Sequence, residues 1–481
     1  MAMNRGVGSS WHWMGLGLIT VLLGACSQVQ RTVDEQVAGV EESLGGAGTE
    51  EGTGGSGPDE EVKVSTRHRS SLPKDFSREW YVSPSGSDKA AGSKSAPFRT
   101  IGRALKAVGP GEAIQVQPGD YAESVVIDGS VKAGRKDAPI TLRASGRARI
   151  FPGARGALVQ VRKPYWVVDG FEIDVKGQSR FAVVFEGNTE GSVLAGSHIH
   201  HGTLGGGVTT YGGARGVTIQ DNHIHDFRKK PQGDSHGVVV QATSRDITLR
   251  GNDIHDNSGD SVQCLKPDGA GQTPARGVVI EDNRLYSSDE NAVDIKTCRD
   301  VVVRDNDMHG FRKSRSSAGE AVVVHYSARN VLVEGNRISD SGRGISVGGV
   351  KDGNQPSPTG VEVKDNRITN ISKEGGGDGV GIRVENARDV TVEGNTIDKT
   401  EGYGMMLGLG ANNAPSENLT VQENVVRGRN LVRLGKHRPG LRMDRNRYSR
   451  GGLFKADPKE VQDLTAWKSV SGVDGTSVTV P

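Results

Sequence analysis

Cysteine, aromatic residues and excess charge of either sign are all scarce in this sequence. Three cysteines in 481 residues cannot staple a disulfide-built domain, and neither a zinc-type Cys/His spacing nor a phosphate loop of the Gly-Lys-Ser/Thr kind is found. Aromatic residues make up 5% of the chain, so its core is packed by small and β-branched side chains. A formal net charge of +2, from 60 Lys+Arg against 58 Asp+Glu, excludes the strongly basic domain of a nucleic-acid binder. The apolar run at 14–23 is too short to span a bilayer. Glycine is what abounds. Its 69 residues are roughly twice the usual share, with no three-residue period and therefore no collagen.

The N-terminal stretch carries Arg5, the apolar run, and then Leu23, Gly24, Ala25 and Cys26. Charged, apolar and small-residue regions in that order mark an export signal over residues 1–25. The ending resembles the lipobox of bacterial lipoproteins, which implies that Cys26 is lipidated and becomes the new N-terminus. Ser27 implies, by the same resemblance, sorting to the outer membrane. The expected location is the bacterial envelope or cell surface, an oxidising compartment. Residues 26–75 read as a flexible tether rich in Gly, Glu and Ser, with ten acidic residues against five Lys/Arg. Residues 76–481 then carry about +6, which suits an anionic ligand.

From residue 217 onward one pattern recurs, apolar-x-apolar-x-x-Asn-x-apolar, centred on Asn222, Asn252, Asn283, Asn306, Asn336, Asn366, Asn395, Asn424 and Asn446. The spacings are 30, 31, 23, 30, 30, 29, 29 and 22. Alternating β-branched residues within each repeat predict strands, and the shortest spacing is about one turn of a three-stranded coil. The chain is therefore expected to be an all-β, single-stranded parallel β-helix of about 12 turns with a stacked Asn ladder at a tight turn that tolerates left-handed geometry. The coil is placed at 76–456, a helix over 97–105 caps its open start, and 457–481 closes its end. Residues 81–86, 97–101 and 117–121 resemble the opening of secreted right-handed β-helix proteins of the pectate-lyase-like superfamily. Residues 464–467, 472–474 and 477–478 resemble the Trp-containing closing segment of those proteins.

Upstream of each Asn block lies a third strand, small-apolar-x-apolar-x, at 237–241, 261–265, 292–296, 321–325, 344–348 and 381–385. Its second and fourth residues point inward, so the third and fifth point out and stack from coil to coil. Three successive coils present Gln263, Asp294, Lys296 and His325 there, with Asp260, Asn291 and Glu320 just before the strands. Long loops enter and leave this strand, so the expected binding site is a groove over it. Asp260, Glu290, Asp294 and Glu320, with Asp289 nearby, could supply oxygen ligands to Ca²⁺. Lys296, partly desolvated, could lose its proton and act as base, with His325 as the other candidate. Gln263, Lys266, Arg383 and Glu385 are the candidate substrate-binding residues. This chemistry suits β-elimination in an acidic, uronate-containing polysaccharide. Asp260 followed one coil later by Glu290, Asn291 and Asp294 resembles the calcium-binding strands of family 9 pectate lyases, which implies a polysaccharide lyase. Those lyases carry aspartate at all four positions, and Val323 stands where their catalytic lysine would.

His200, His225, His255 and His309 form a second outward column, with Tyr286 interposed; metal ligation is conceivable, and stacked aromatic packing is the favoured reading. Cys264 and Cys298 lie in successive coils, and whether they pair is left open. The expected partners are an acidic polysaccharide and the membrane through Cys26, with a monomeric chain. Two other functions compete: a non-catalytic glycan-binding envelope β-helix, and a glycoside hydrolase using Asp294 with Glu320.

Overall fold

The computed structural model describes residue 68 and residues 71–153, 156–229, 233–349, 356–409 and 416–481. The export signal, Cys26 and most of the tether lie outside the described residues. The chain winds as a right-handed parallel β-helix, the hand that a twisted parallel crossover takes. One sheet, upstream of each Asn, holds 14 strands from Glu79–Val82 to Arg442–Asp444. The other two are a downstream sheet, with strands such as His223–Phe227 and Asp253–His255, and a groove sheet, with strands such as Val262–Cys264 and Val293–Ile295. The strand His198–Tyr211 runs unbroken through both, pairing Ile199 with Ile224 and then Val208 with Val238.

The upstream sheet exceeds the expected 12 turns because Glu79–Val82 and Ala113–Val116 join it in register without an Asn to announce them. Inside, Ile219, Leu249, Ile280 and Val303 stack in register and are fully buried. Each such side chain contributes about 1.5–3 kcal/mol of burial.

The Asn ladder is complete. Asn222 Nδ2 donates to Asn252 Oδ1 at 3.0 Å, and the pattern continues coil by coil to Asn424 and Asn446 at 3.1 Å. Each amide also donates to a backbone carbonyl, as Asn252 does to Ile219 at 2.9 Å, so these buried groups are satisfied. The left-handed residue is the one before each Asn, among them Asp221, Asp282, Asp305 and Asp365. This corrects the expectation that Asn itself turns the corner: its side chain bonds best from the position after the turn. Several glycines at strand starts serve space and not φ. A Cβ on Gly381 would lie 2.6 Å from Gly404 O and 2.6 Å from Ile397 Cγ2.

Both ends are covered. The helix Ile101–Ala107, capped by Thr100, buries Ile101, Ala104 and Leu105 on the first coil. The helix Leu464–Ser471 buries Trp467, which stacks on Phe454 at 4.9 Å and donates to Asp474 at 2.7 Å. Among the described residues no helix is long and apolar enough to cross a membrane. The end of the expected tether already lies on the coil. Leu72 packs against Val167 and Ala195, and Arg143 donates to Pro73 O at 2.9 Å. Cys264 and Cys298 form a disulfide, with Cα atoms 6.2 Å apart.

Candidate functional site

The groove sheet stacks Gln263, Asp294, Val323, Ser346 and Arg383 in one outward file. Just before these strands runs a polar file that continues one coil beyond the expected residues at each end: His236, Asp260, Asn291, Glu320 and Arg343. Each member is held by its neighbour. Asp260 N–H donates to His236 Nδ1 at 2.8 Å. Asn291 Nδ2 donates to Asp260 Oδ1 at 2.8 Å, Glu320 N–H to Asn291 Oδ1 at 3.3 Å, and Arg343 Nη1 to Glu320 Oε1 at 2.6 Å.

The four expected calcium ligands separate into three settings. Asp260 and Glu290 come together with His236, all buried, with ligand atoms within 4.8 Å of one another. Burial, reinforced by Asp260 and Asp234, pushes the Glu290 carboxyl up to about 9, as crowding of carboxyls does. Asp294 instead faces His325 Nε2 at 2.7 Å and Lys296 Nζ at 3.6 Å. Burial alone would raise Asp294, but His325 and Lys296 outweigh it and hold the carboxylate at about 2.

Glu320 is withdrawn from the expected cation set. Besides Arg343, it accepts from Ala318 N–H at 2.8 Å and Ser317 Oγ at 3.1 Å, which occupies both oxygens. That engagement also removes it as the hydrolase partner of Asp294. Asp289 sits 3.2 Å from Arg228.

Lys296 differs from expectation in the opposite sense. Burial would lower its pKa, but Asp294 and Asp260 outweigh burial and hold the ammonium above its ordinary value, against the loss of a proton that a base at this position requires. The His325 ring also meets that of Tyr326, tilted by 43° with centroids 4.2 Å apart. Lys266 Nζ lies 5.6 Å from the Tyr326 ring centre, within cation–π range. Gln263 donates to Asp260 at 2.9 Å. Arg383 and Glu385 form a two-point ion pair, 2.9 Å at each contact, and Arg383 reaches Asp378 at 3.0 Å. Sequence reasoning missed His236, Arg343, Asp378 and Tyr326. The first two stand in the same column as Asp260 and were legible there.

The downstream sheet carries the histidine column, flanked by more histidines than expected. The rings of His255, Tyr286 and His309 stack at 4.5 and 5.1 Å. Burial, with neighbouring imidazoles, holds His198 down at about 4 and His200 and His223 at about 2.

The fold is a right-handed parallel β-helix. A right-handed beta helix region model matches residues 268–450, a model described as periplasmic copper-binding protein (NosD) matches 170–356, and a family of unknown function matches 84–129. The pectate disaccharide-lyase of Dickeya chrysanthemi is 24% identical over 270 residues, 54% of this chain and 31% of that protein. Both curated relatives it matches are thus spanned over about a third of their length, 31% each. Among solved structures, the PL6 family alginate lyase AlyGC has TM-score 0.57 at 14% identity, covering 79% of this chain and 52% of that one. The pectate lyase Pel9A has TM-score 0.44 at 19% identity, covering 65% of this chain and 78% of that one. These structural likenesses are of fold.

Proposed function

We propose that the chain is an exported polysaccharide lyase that cleaves a uronate-containing polymer by β-elimination. The observation that carries this reading is Asp294, a buried carboxylate on the groove face clamped between His325 and Lys296. The crowded pair Asp260 and Glu290 fits a hard divalent cation: two buried carboxyls meet, and His236 Nδ1 is already taken by the Asp260 N–H. Ca²⁺ accepts such oxygens together with water and ligand oxygens, and Asp260 and Glu290 would hold it. When bound, it would supply neutralisation of the sugar carboxylate, which acidifies the C5 proton.

His325 donates its Nε2–H to Asp294, and that bond leaves Nδ1 free to take the C5 proton. Lys296, kept charged by Asp294, gives a proton to the glycosidic oxygen as the C4–O bond breaks and C4=C5 forms. Arg383 is placed to meet a uronate carboxylate in exchange for Glu385. The names of the relatives, a pectate lyase and an alginate lyase, support an acidic polymer as substrate. The lipobox at Cys26 and the Cys264–Cys298 disulfide support export to the envelope.

The test is ultraviolet absorbance from unsaturated uronate ends when the purified chain meets pectate, alginate or glycosaminoglycans, with and without chelator. Release that chelator abolishes is expected. Binding of a polymer without any release would replace this reading with the non-catalytic glycan-binding one.

A further inference from the structure

The groove makes no use of the densest group of imidazoles in the described chain. On the downstream sheet, Ile199, Ile224 and Ile254 point inward and are fully buried, so the residues on either side of each face outward. Register stacks His198 on His223 and His225 on His255. Two diagonal contacts result: His198 Nε2 lies 2.7 Å from His225 Nε2, and His223 Nε2 lies 2.6 Å from His255 Nε2.

Carboxylates stand behind two of these rings. The coil turns left-handed directly after them, at Asp226 with φ 56° and Asp256 with φ 51°, a conformation Asp tolerates. The turn folds each carboxylate back onto its neighbour: Asp226 Oδ2 is 2.7 Å from His225 Nδ1, and Asp256 Oδ2 is 2.6 Å from His255 Nδ1. An Nδ1–H bonded to carboxylate fixes the tautomer and leaves the Nε2 lone pair aimed into the cluster, the arrangement that orients metal-bound histidines. His223 Nδ1 and Asp253 Oδ1, both buried, have no hydrogen-bond partner among the described residues. Aromatic packing needs only ring faces, as Tyr286 and His309 show further along; it requires neither edge nitrogens that meet nor carboxylates behind them.

We propose that His198, His223 and His225, whose ring nitrogens lie within 4.8 Å of one another, bind one late first-row divalent metal ion, of the zinc or copper class, at a site separate from the groove. Imidazole nitrogens suit these ions, whereas calcium and magnesium take oxygen. A metal about 2.0–2.1 Å from each nitrogen sets neighbouring nitrogens about 3.3 Å apart, so the His198–His225 pair opens by about 0.6 Å. The ion replaces the proton shared by His198 and His225, and that proton moves to Nδ1 of His198. The side chains of His225 and His255 are each 13% exposed, so solvent reaches the cluster without the coil opening.

The full chain, stripped with chelator, would be titrated with Zn²⁺ by calorimetry, with Ca²⁺ as the comparison cation. One Zn²⁺ per chain is expected, bound at micromolar affinity or tighter and not displaced by Ca²⁺. The double variant His198→Ala, His225→Ala should weaken binding at least about 100-fold, and Asp226→Asn, which keeps every ligand, by about 10–100-fold. His309→Ala, two coils beyond His255, should leave it unchanged. Paramagnetic resonance of Cu²⁺ on the wild-type chain supplies a readout that needs no variant to fold: coupling to two or more ring nitrogens is expected. Equal Zn²⁺ affinity in wild type and the double His variant, or a Cu²⁺ signal with one nitrogen or none, overturns the proposal.

Discussion

An imidazole and an ammonium share one carboxylate at the centre of the groove, and the sharing separates their roles. Asp294 orients His325 through Nε2 and keeps Lys296 charged. Lys296→Met should therefore lower kcat by about 10²–10⁴ through loss of an acid, with a smaller change in KM; an unchanged kcat would remove Lys296 from the chemistry. Glu290 carries a separate, thermodynamic signature. Its folded-state pKa is raised to about 9 above an unfolded value of about 4.3, so the folded chain keeps a proton that the unfolded chain releases. In chelator, stability should fall as pH rises from about 4.3 toward about 9, and Glu290→Gln should flatten that slope. Parallel urea midpoints for the two proteins across this range would contradict the account. Residue-level chemistry was partly legible beforehand: stacking named Asp260, Asp294, Lys296 and His325 as neighbours. Which carboxylate meets which cation was not, because that depends on side-chain reach across coils, as with Glu320 and Arg343, the residue just before the expected strand at 344–348.

The ladder is the element that sets the register of the coil. Each Asn both donates to and accepts from its neighbours in the dark of the core, so Asn306→Ala would strand Asn283 Nδ2, Asn283 N–H and Ile280 O, all its partners now. A loss of about 2–4 kcal/mol is expected from the unsatisfied groups, read as a lower urea midpoint. A variant within about 0.5 kcal/mol of wild type would show that the backbone ladders alone hold the turn. The Asn spacing made the fold visible because a buried amide must repeat wherever the coil turns. The histidine file was read only in part for a similar reason: a three-residue strand has two outward positions, and only the second of them was followed. His198 and His223 occupy the first.

At the scale of the whole molecule, a solenoid is as stable as its ends allow, since each coil rests only on its neighbours. Trp467 closes the C-terminal end beneath Phe454, with its indole N–H on Asp474, and Asp474 also accepts from the last Asn of the ladder, Asn446, at 2.9 Å. Trp467→Ala should cost about 3–5 kcal/mol and expose the last coils first. Hydrogen exchange should then quicken over residues 420–456 before it quickens over 113–170, and uniform loss of protection would argue against end-driven fraying. The same architecture explains how a chain poor in aromatics holds a polar site. Rigid stacked strands present buried carboxyls such as Asp260, Glu290 and Asp294 side by side. The most direct test of the central claim is the rate at which unsaturated uronate ends appear when wild type and His325→Ala meet the same acidic polymer. Release by wild type, with a drop of about 10²–10⁴ in the variant, is the predicted result; equal rates, or no release by wild type on any uronate polymer, would contradict the account.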